Sequence, residues 1–147
     1  MARSIIAVIA SYIAMFVLTF AGFTCLYLLI GPNHAFKPRS YMASNRWIAM
    51  AFGIYFVIAI IGGFLCALIA RGGKAPLALA IVVFVLGLLL AIPSVIAHRT
   101  NPNEVRVGAV SNMEAMQKAK EPIWVPFTFP IIGVVGVLVG SRLRRKT

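Results

Sequence analysis

The sequence predicts an all-α fold, a polytopic transmembrane four-helix bundle. Four long apolar stretches fill most of the 147 residues, and none of them carries Lys, Arg, Asp or Glu in its interior. Charged residues make up only 12% of the chain, whereas soluble domains have about a quarter. Because charge is costly at the centre of a bilayer and a helical span needs about 20 apolar residues, we expect a single membrane domain.

The first two spans are predicted at residues 5–30 and 47–70, with a polar loop at 31–46 between them. The third span follows at residues 75–97, after a turn of only four residues. A turn this short requires the second and third spans to be antiparallel neighbours. Pro76 suits the first turn of a helix, where its missing N–H costs nothing.

The second polar loop, residues 98–122, contains all three acidic residues of the chain, Glu104, Glu114 and Glu121. Ser111 and Glu114 have the spacing of a capping box, which predicts a short helix on the membrane surface before the last span.

The fourth span is predicted at residues 123–139, and a basic tail follows at 140–147. Pro126 and Pro130 predict that this span enters the membrane bent.

The net charge of +11 comes from basic residues in the loops and at the C-terminus. We interpret these residues as contacts to anionic lipid headgroups rather than to nucleic acid. In a four-span topology, each side of the membrane receives seven Lys and Arg residues. Because charges close to span ends in short segments count most, we expect both termini in the cytoplasm, although the equal counts leave the inverse orientation open. The predicted interface anchors are Lys37, Arg39, Arg46, Trp47, Trp124, Arg142, Arg144 and Arg145.

Small residues recur at helical spacing in the second and fourth spans. Such residues allow helix backbones to approach closely, within one bundle or between copies of the chain. The predicted packing positions are Ala59, Gly63, Ala67, Gly133, Gly136 and Gly140.

The chemistry available to the spans is limited, because they contain no ionisable acid or base between their ends. A proton-driven pump is therefore disfavoured, including the small four-helix multidrug exporters, which carry a membrane-embedded Glu. A Ser-His-Asp triad is excluded because the chain has no Asp. His34 and His98 are the only candidates for metal ligands, but neither belongs to a pair at ligand spacing, so we expect no metal and no cofactor.

Three stretches carry a resemblance to a known family. They are residues 36–41 (FKPRSY), residues 62–76 (GGFLCALIARGGKAP) and residues 112–124, which begin NMEAM and end PIW. With them the chain resembles a family of small, uncharacterised bacterial four-helix integral membrane proteins. The resemblance implies the bacterial inner membrane and no particular activity.

The function predicted from the sequence is that of a non-enzymatic accessory or scaffold subunit of a membrane complex. The predicted partners besides lipid are another membrane protein or, alternatively, further copies of the chain in a homo-oligomer. The alternative is an oligomeric small-solute channel or transporter, which polar residues converging on one axis would favour. A membrane enzyme using His34, His98 and the loop glutamates would require those side chains to converge within hydrogen-bond reach.

Overall fold

The computed structural model describes residues 2–71, 73–100, 105, 107–108 and 110–146, without the side chains of residues 97–100 and 145–146. The predicted all-α fold is confirmed. The helices are α1 (Ala2–Ile30), α2 (Pro32–Ala35), α3 (Asn45–Ala70), α4 (Ala75–Thr100), α5 (Asn112–Lys118) and α6 (Val125–Lys146). Four of them, α1, α3, α4 and α6, are long and apolar enough to cross a membrane. The chain is therefore a multi-pass membrane protein.

Helix α6 packs between α3 and α4. It packs most extensively against α3 and next against α4, while α1 covers another side of α3. The hairpin partners α3 and α4 contact each other much less than each contacts α6. The last span to be synthesised therefore fills the space between the two helices that the short turn joins.

Glycines let α6 approach α3 so closely. A Cβ atom added to Gly63 of α3 would overlap the Val137 carbonyl of α6, and one added to Gly140 would overlap the Ile60 carbonyl. Gly136 lies against the Cβ of Ala59 in the same way. The backbones are thus in direct contact, which is how small residues stabilise helix pairs in membranes.

Two prolines lie in the first two turns of α6. Pro126 occupies its first turn, and the buried Pro130 lies inside the helix against Gly87 of α4. The basic residues that we expected as a tail at 140–147 instead continue the helix to Lys146. The axis of the span consequently continues through the basic residues at its end.

Two segments, residues 31–44 and 110–124, join to cover one end of the bundle, and we call them the cap. The Ala43 N–H donates to the Lys120 carbonyl at 2.8 Å, and the Lys120 N–H donates to the Tyr41 carbonyl at 2.9 Å. Within the cap, Ser111 accepts from the Glu114 N–H at 3.2 Å, as the capping box predicts. The capping box also predicts that the Glu114 carboxylate accepts from the Ser111 N–H. This carboxylate instead accepts a hydrogen bond from the Tyr41 hydroxyl at 2.9 Å.

Candidate functional site

An apolar cavity of about 370 Å³ lies under the cap. Its walls come from the second half of α1, the start of α3, loop 31–46 and the face of α5 that points into the bundle. Fourteen residues line it: Phe16, Thr19, Phe20, Phe23, Thr24, Tyr27, Ala35, Phe36, Trp47, Asn112, Ala115, Met116, Ala119 and Glu121. A volume of this size lies within the range of about 300–1,000 Å³ that small-molecule sites occupy.

Aromatic rings in mutual contact form the wall of the cavity. Tyr27 packs edge-on against Phe36 at 6.3 Å and against Trp47 at 6.2 Å between ring centroids. Phe23 continues the series, at 6.2 Å from Trp47 and 6.1 Å from Phe129. Edge-to-face contacts hold such rings in fixed orientations, so the wall is largely preformed.

Residues 110–118 of the cap, which include α5, lie over the cavity, and we call them the roof. Hydrogen bonds hold the roof in place. The buried Tyr27 hydroxyl donates to the Val110 carbonyl at 2.8 Å. Asn112, the first residue of α5, reaches down to the Thr24 hydroxyl of α1 at 3.4 Å. These bonds attach α5 to the end of α1, so the cavity has a roof of defined position.

The cavity opens sideways, between α1 and α5. Phe16 and Phe20 line it and are also 67% and 49% exposed on the outer surface of α1. Met116 of α5 is exposed beside them. When α1 spans a bilayer, this exposed surface faces the hydrocarbon, so the opening lies toward the membrane.

A second cavity, of about 280 Å³, lies between α1, α4 and α6. It shares three lining residues with the first cavity, namely Thr19, Phe23 and Glu121. Glu121 thus lies at the junction of the two spaces and is the acidic residue of both.

The environment of Glu121 is unusual for a carboxyl group. Burial raises its pKa above the ordinary value of 4.5. Within the part of the chain that the structure describes, its carboxyl group has no hydrogen-bond or ion-pair partner. The neighbouring Lys120 does not line either cavity. A carboxyl group that is partly removed from water and has no partner among the described residues is costly to ionise, which is the physical reason for the raised pKa.

The candidate metal ligands are not brought together among the described residues. The His34 ring nitrogen Nδ1 lies 3.0 Å from the Ile30 carbonyl of the preceding helical turn. His98 lies in α4, but its side chain is outside the described residues, as is all of Glu104. No group of three or more His, Cys, Asp or Glu within the described segments has the geometry to hold a metal ion.

The predicted packing residues all lie between helices. Ala59, Gly63 and Ala67 are buried on α3, and Gly133, Gly136 and Gly140 are buried on α6. Gly133 contacts Val83 of α4 and the Tyr55 ring of α3, so it lies where three helices meet.

The predicted interface anchors lie at both ends of the bundle. Lys37, Arg39 and Arg46 are exposed on or beside the cap, and Arg142 is exposed at the opposite end. Arg144 is partly buried there, and the Arg145 side chain is outside the described residues. Trp124 is exposed and packs on Phe52, at 6.1 Å between ring centroids. Trp47 has a different position, because its ring lines the cavity.

Two threonine hydroxyls inside the spans bond to the backbone of their own helices. The Thr19 hydroxyl donates to the Met15 carbonyl at 2.7 Å, and the Thr128 hydroxyl donates to the Trp124 carbonyl at 3.0 Å. Such bonds to the preceding helical turn satisfy the hydroxyl within its own helix.

Sequence reasoning missed Glu121 and the aromatic residues of α1 as a site. Glu121 was noted only as one of three loop glutamates. One signal was present in the sequence: Phe16, Phe20, Phe23 and Tyr27 recur at intervals of three and four residues, which places them along one side of α1.

No protein-family model, no curated protein and no solved structure matches this chain.

Proposed function

We propose that the protein is a non-enzymatic integral membrane protein that binds a small amphiphile in the cavity under its cap. The observation that carries this proposal is the preformed aromatic cavity with a lateral opening at Phe16 and Phe20. Binding sites for small molecules are typically apolar, concave and furnished with a few polar groups. Here Thr24, Asn112 and Glu121 supply the polar groups at the cap end.

The proposed location is the bacterial inner membrane, with both termini in the cytoplasm and the cap on the outer face. Arg3 and the C-terminal end of α3 lie at the same end of the bundle, since the Arg3 Nε donates to the Ile69 carbonyl at 2.8 Å. Arg71 and Lys74 follow immediately in the short turn. Basic residues close to span ends favour the cytoplasmic side, which supports this orientation.

Fluorescence of Trp47 gives a direct test. The chain has two tryptophans, so Trp124→Phe leaves Trp47 in the cavity wall as the only reporter. Bromododecanol, an uncharged quencher, is titrated into lipid nanodiscs that contain this variant. We expect saturable quenching, because a site fills whereas partitioning into lipid increases in proportion to concentration.

A matched pair of substitutions tests whether the saturable quenching arises from binding in the cavity. Ala119→Leu adds three carbon atoms at the exposed rim of the cavity, whereas Gln117→Leu adds an apolar side chain on the same short segment away from it. The first substitution should weaken the saturable component by about tenfold, and the second should leave it unchanged. Quenching that never saturates in the parent protein contradicts the proposal.

The accessory or scaffold subunit is a second candidate function, and a separate observation favours it. At the cap end of the bundle several apolar side chains are highly exposed, including Val107 at 87% and Leu29 at 84%. Exposed apolar residues at the rim of a membrane protein suit a partner as well as lipid. The mass of the protein extracted with its native lipids tests this function. A second membrane protein in fixed ratio supports it, and a single chain or a pure homo-oligomer argues against it.

A further inference from the structure

We infer that the cavity under the cap selects a lipophilic organic cation, whose positive group lies between the Glu121 carboxylate and the aromatic wall. This inference rests on the proposed function and adds the chemical class of the ligand. The site has an apolar end and a polar end, which match the two ends of such a molecule. Phe16 and Phe20 at the opening suit an alkyl chain, and Glu121 marks the polar end.

The distribution of charge supports a cationic ligand. The chain contains 14 Lys and Arg residues and only three acidic residues. Nevertheless, the described residues lining the two cavities include an acidic residue and no Lys, Arg or His. An anionic headgroup would find a carboxyl group and no counter-charge there. A cation would supply the partner that the Glu121 carboxyl lacks within the described part of the chain.

The aromatic wall supports the same class of ligand. Phe23, Tyr27, Phe36 and Trp47 surround the cavity with rings 6.2–6.3 Å apart. The face of an aromatic ring attracts an ammonium group within about 6 Å, and this attraction grows when water is removed. Quaternary ammonium groups in particular are recognised by cages of aromatic rings. A carboxylate next to such rings adds a full opposite charge.

The absence of basic lining residues also argues for a single positive charge rather than a zwitterion. A phospholipid with an amine headgroup carries a phosphate beside the amine, and phosphate groups are typically bound by Arg or Lys. The described lining offers the phosphate hydroxyl, amide, indole and backbone groups but no Lys or Arg. An amphiphile with one ammonium group and an alkyl chain fits this lining better.

The test compares two probes of equal shape in nanodiscs of phosphatidylglycerol. One probe is decyltrimethylammonium, and the other is its uncharged isostere with a quaternary carbon in place of the nitrogen. Binding of each is measured against empty nanodiscs for the parent protein, Glu121→Gln and Glu114→Gln. Glu114→Gln removes the same charge from a carboxyl group that instead contacts Tyr41 and Lys118.

We expect the cation to bind the parent protein at least about tenfold more tightly than the isostere, a factor typical of attraction between an ammonium group and aromatic rings in a site that excludes water. Glu121→Gln should remove this preference without affecting the isostere, and Glu114→Gln should preserve it. Glu121→Asp, which retains the carboxylate, should recover part of the preference. Equal binding of both probes, or an unchanged preference in Glu121→Gln, would overturn the inference.

The outcomes distinguish this inference from the proposed function. If both probes bind saturably and equally, the cavity binds amphiphiles but is not selective for cations. If neither probe binds saturably, the proposed function fails with the inference. A further arm adds phosphatidylethanolamine to the nanodiscs. Competition of this lipid with decyltrimethylammonium would contradict the preference for a single positive charge over a zwitterion, and no competition supports a free amphiphile with one ammonium group.

Discussion

The Tyr27 hydroxyl of α1 donates a buried hydrogen bond of 2.8 Å to the main-chain carbonyl of Val110. These two residues are 83 positions apart in the chain. The bond joins a membrane-spanning helix to the loop that forms the roof of the cavity. The position of α5 over the cavity therefore depends on a residue of the first span.

Tyr27→Phe should loosen the roof without disrupting the bundle. It removes the donor and leaves a buried carbonyl unpaired, which costs about 1–3 kcal/mol. Hydrogen exchange of the α5 amides in nanodiscs should become at least about tenfold faster, while exchange in α3 and α6 stays as in the parent. Tyr12→Phe is the control, since within the described residues the Tyr12 hydroxyl makes no hydrogen bond. Equal acceleration in both variants would show that the bond does not hold the roof.

Gly63→Ala should destabilise the bundle, because its Cβ would overlap the Val137 carbonyl of α6. The two helices must separate to admit the methyl group, at a cost of about 1–3 kcal/mol. Gly53→Ala on the same helix is the matched control, since a Cβ there meets no atom within 4 Å. Alanine at this exposed position should stabilise the helix by about 0.5–1 kcal/mol. Reversible unfolding in mixed detergent micelles measures both, and an unchanged stability for Gly63→Ala contradicts the direct backbone contact.

These helices also show how far the sequence predicts the fold. Long uncharged stretches identify the four spans because the cost of burying charge in lipid acts on each segment separately. The pairing of α6 with α3 depends instead on where Gly63, Gly136 and Gly140 meet another backbone. Small residues occur on every span, so their spacing alone does not select the partner. The continuation of α6 to Lys146 was missed for a related reason, since basic residues end an apolar pattern without ending a helix.

Glu121 should make the stability of the protein depend on pH. Its pKa in the folded protein is raised above 4.5 by burial, so the folded state holds its proton more tightly than the unfolded state does. The resulting stabilisation is complete below the unfolded pKa and is lost as pH rises through the folded pKa. Unfolding measured between about pH 4 and pH 8 should show this loss in the parent and not in Glu121→Gln. The same pH dependence in both proteins would assign it to another group.

Cation binding should show the opposite trend with pH, because the proton and the cation compete for the same carboxyl group. Below the raised pKa of Glu121, the apparent affinity should fall by about tenfold for each unit of pH. The other titratable groups lining the two cavities are Tyr27 of α1 and Tyr55 of α3, and Lys120 adjoins Glu121 in the chain. Titration of decyltrimethylammonium at several pH values checks the trend, and affinity independent of pH contradicts it.

The site was harder to predict from the sequence than the fold. Its parts come from α1, loop 31–46, the start of α3, α5 and Glu121, and the hydrogen bonds and ring contacts of the cap bring them together. Ser111 and Glu114 correctly predicted α5, but the capping pattern says nothing about which face of that helix covers α1. Glu121 looks like an ordinary loop residue, because its burial results from tertiary packing and not from its neighbours in the chain.

Photolabelling tests the central claim, a membrane-facing binding site under the cap, most directly. An alkyl alcohol carrying a diazirine is activated in nanodiscs that contain the parent protein, and the labelled residues are located by mass spectrometry. The account predicts saturable labelling concentrated on residues 16–27 and 112–121, with bromododecanol as an effective competitor. Labelling spread evenly over the lipid-facing surfaces of α1, α3, α4 and α6, without saturation, would contradict the existence of the site.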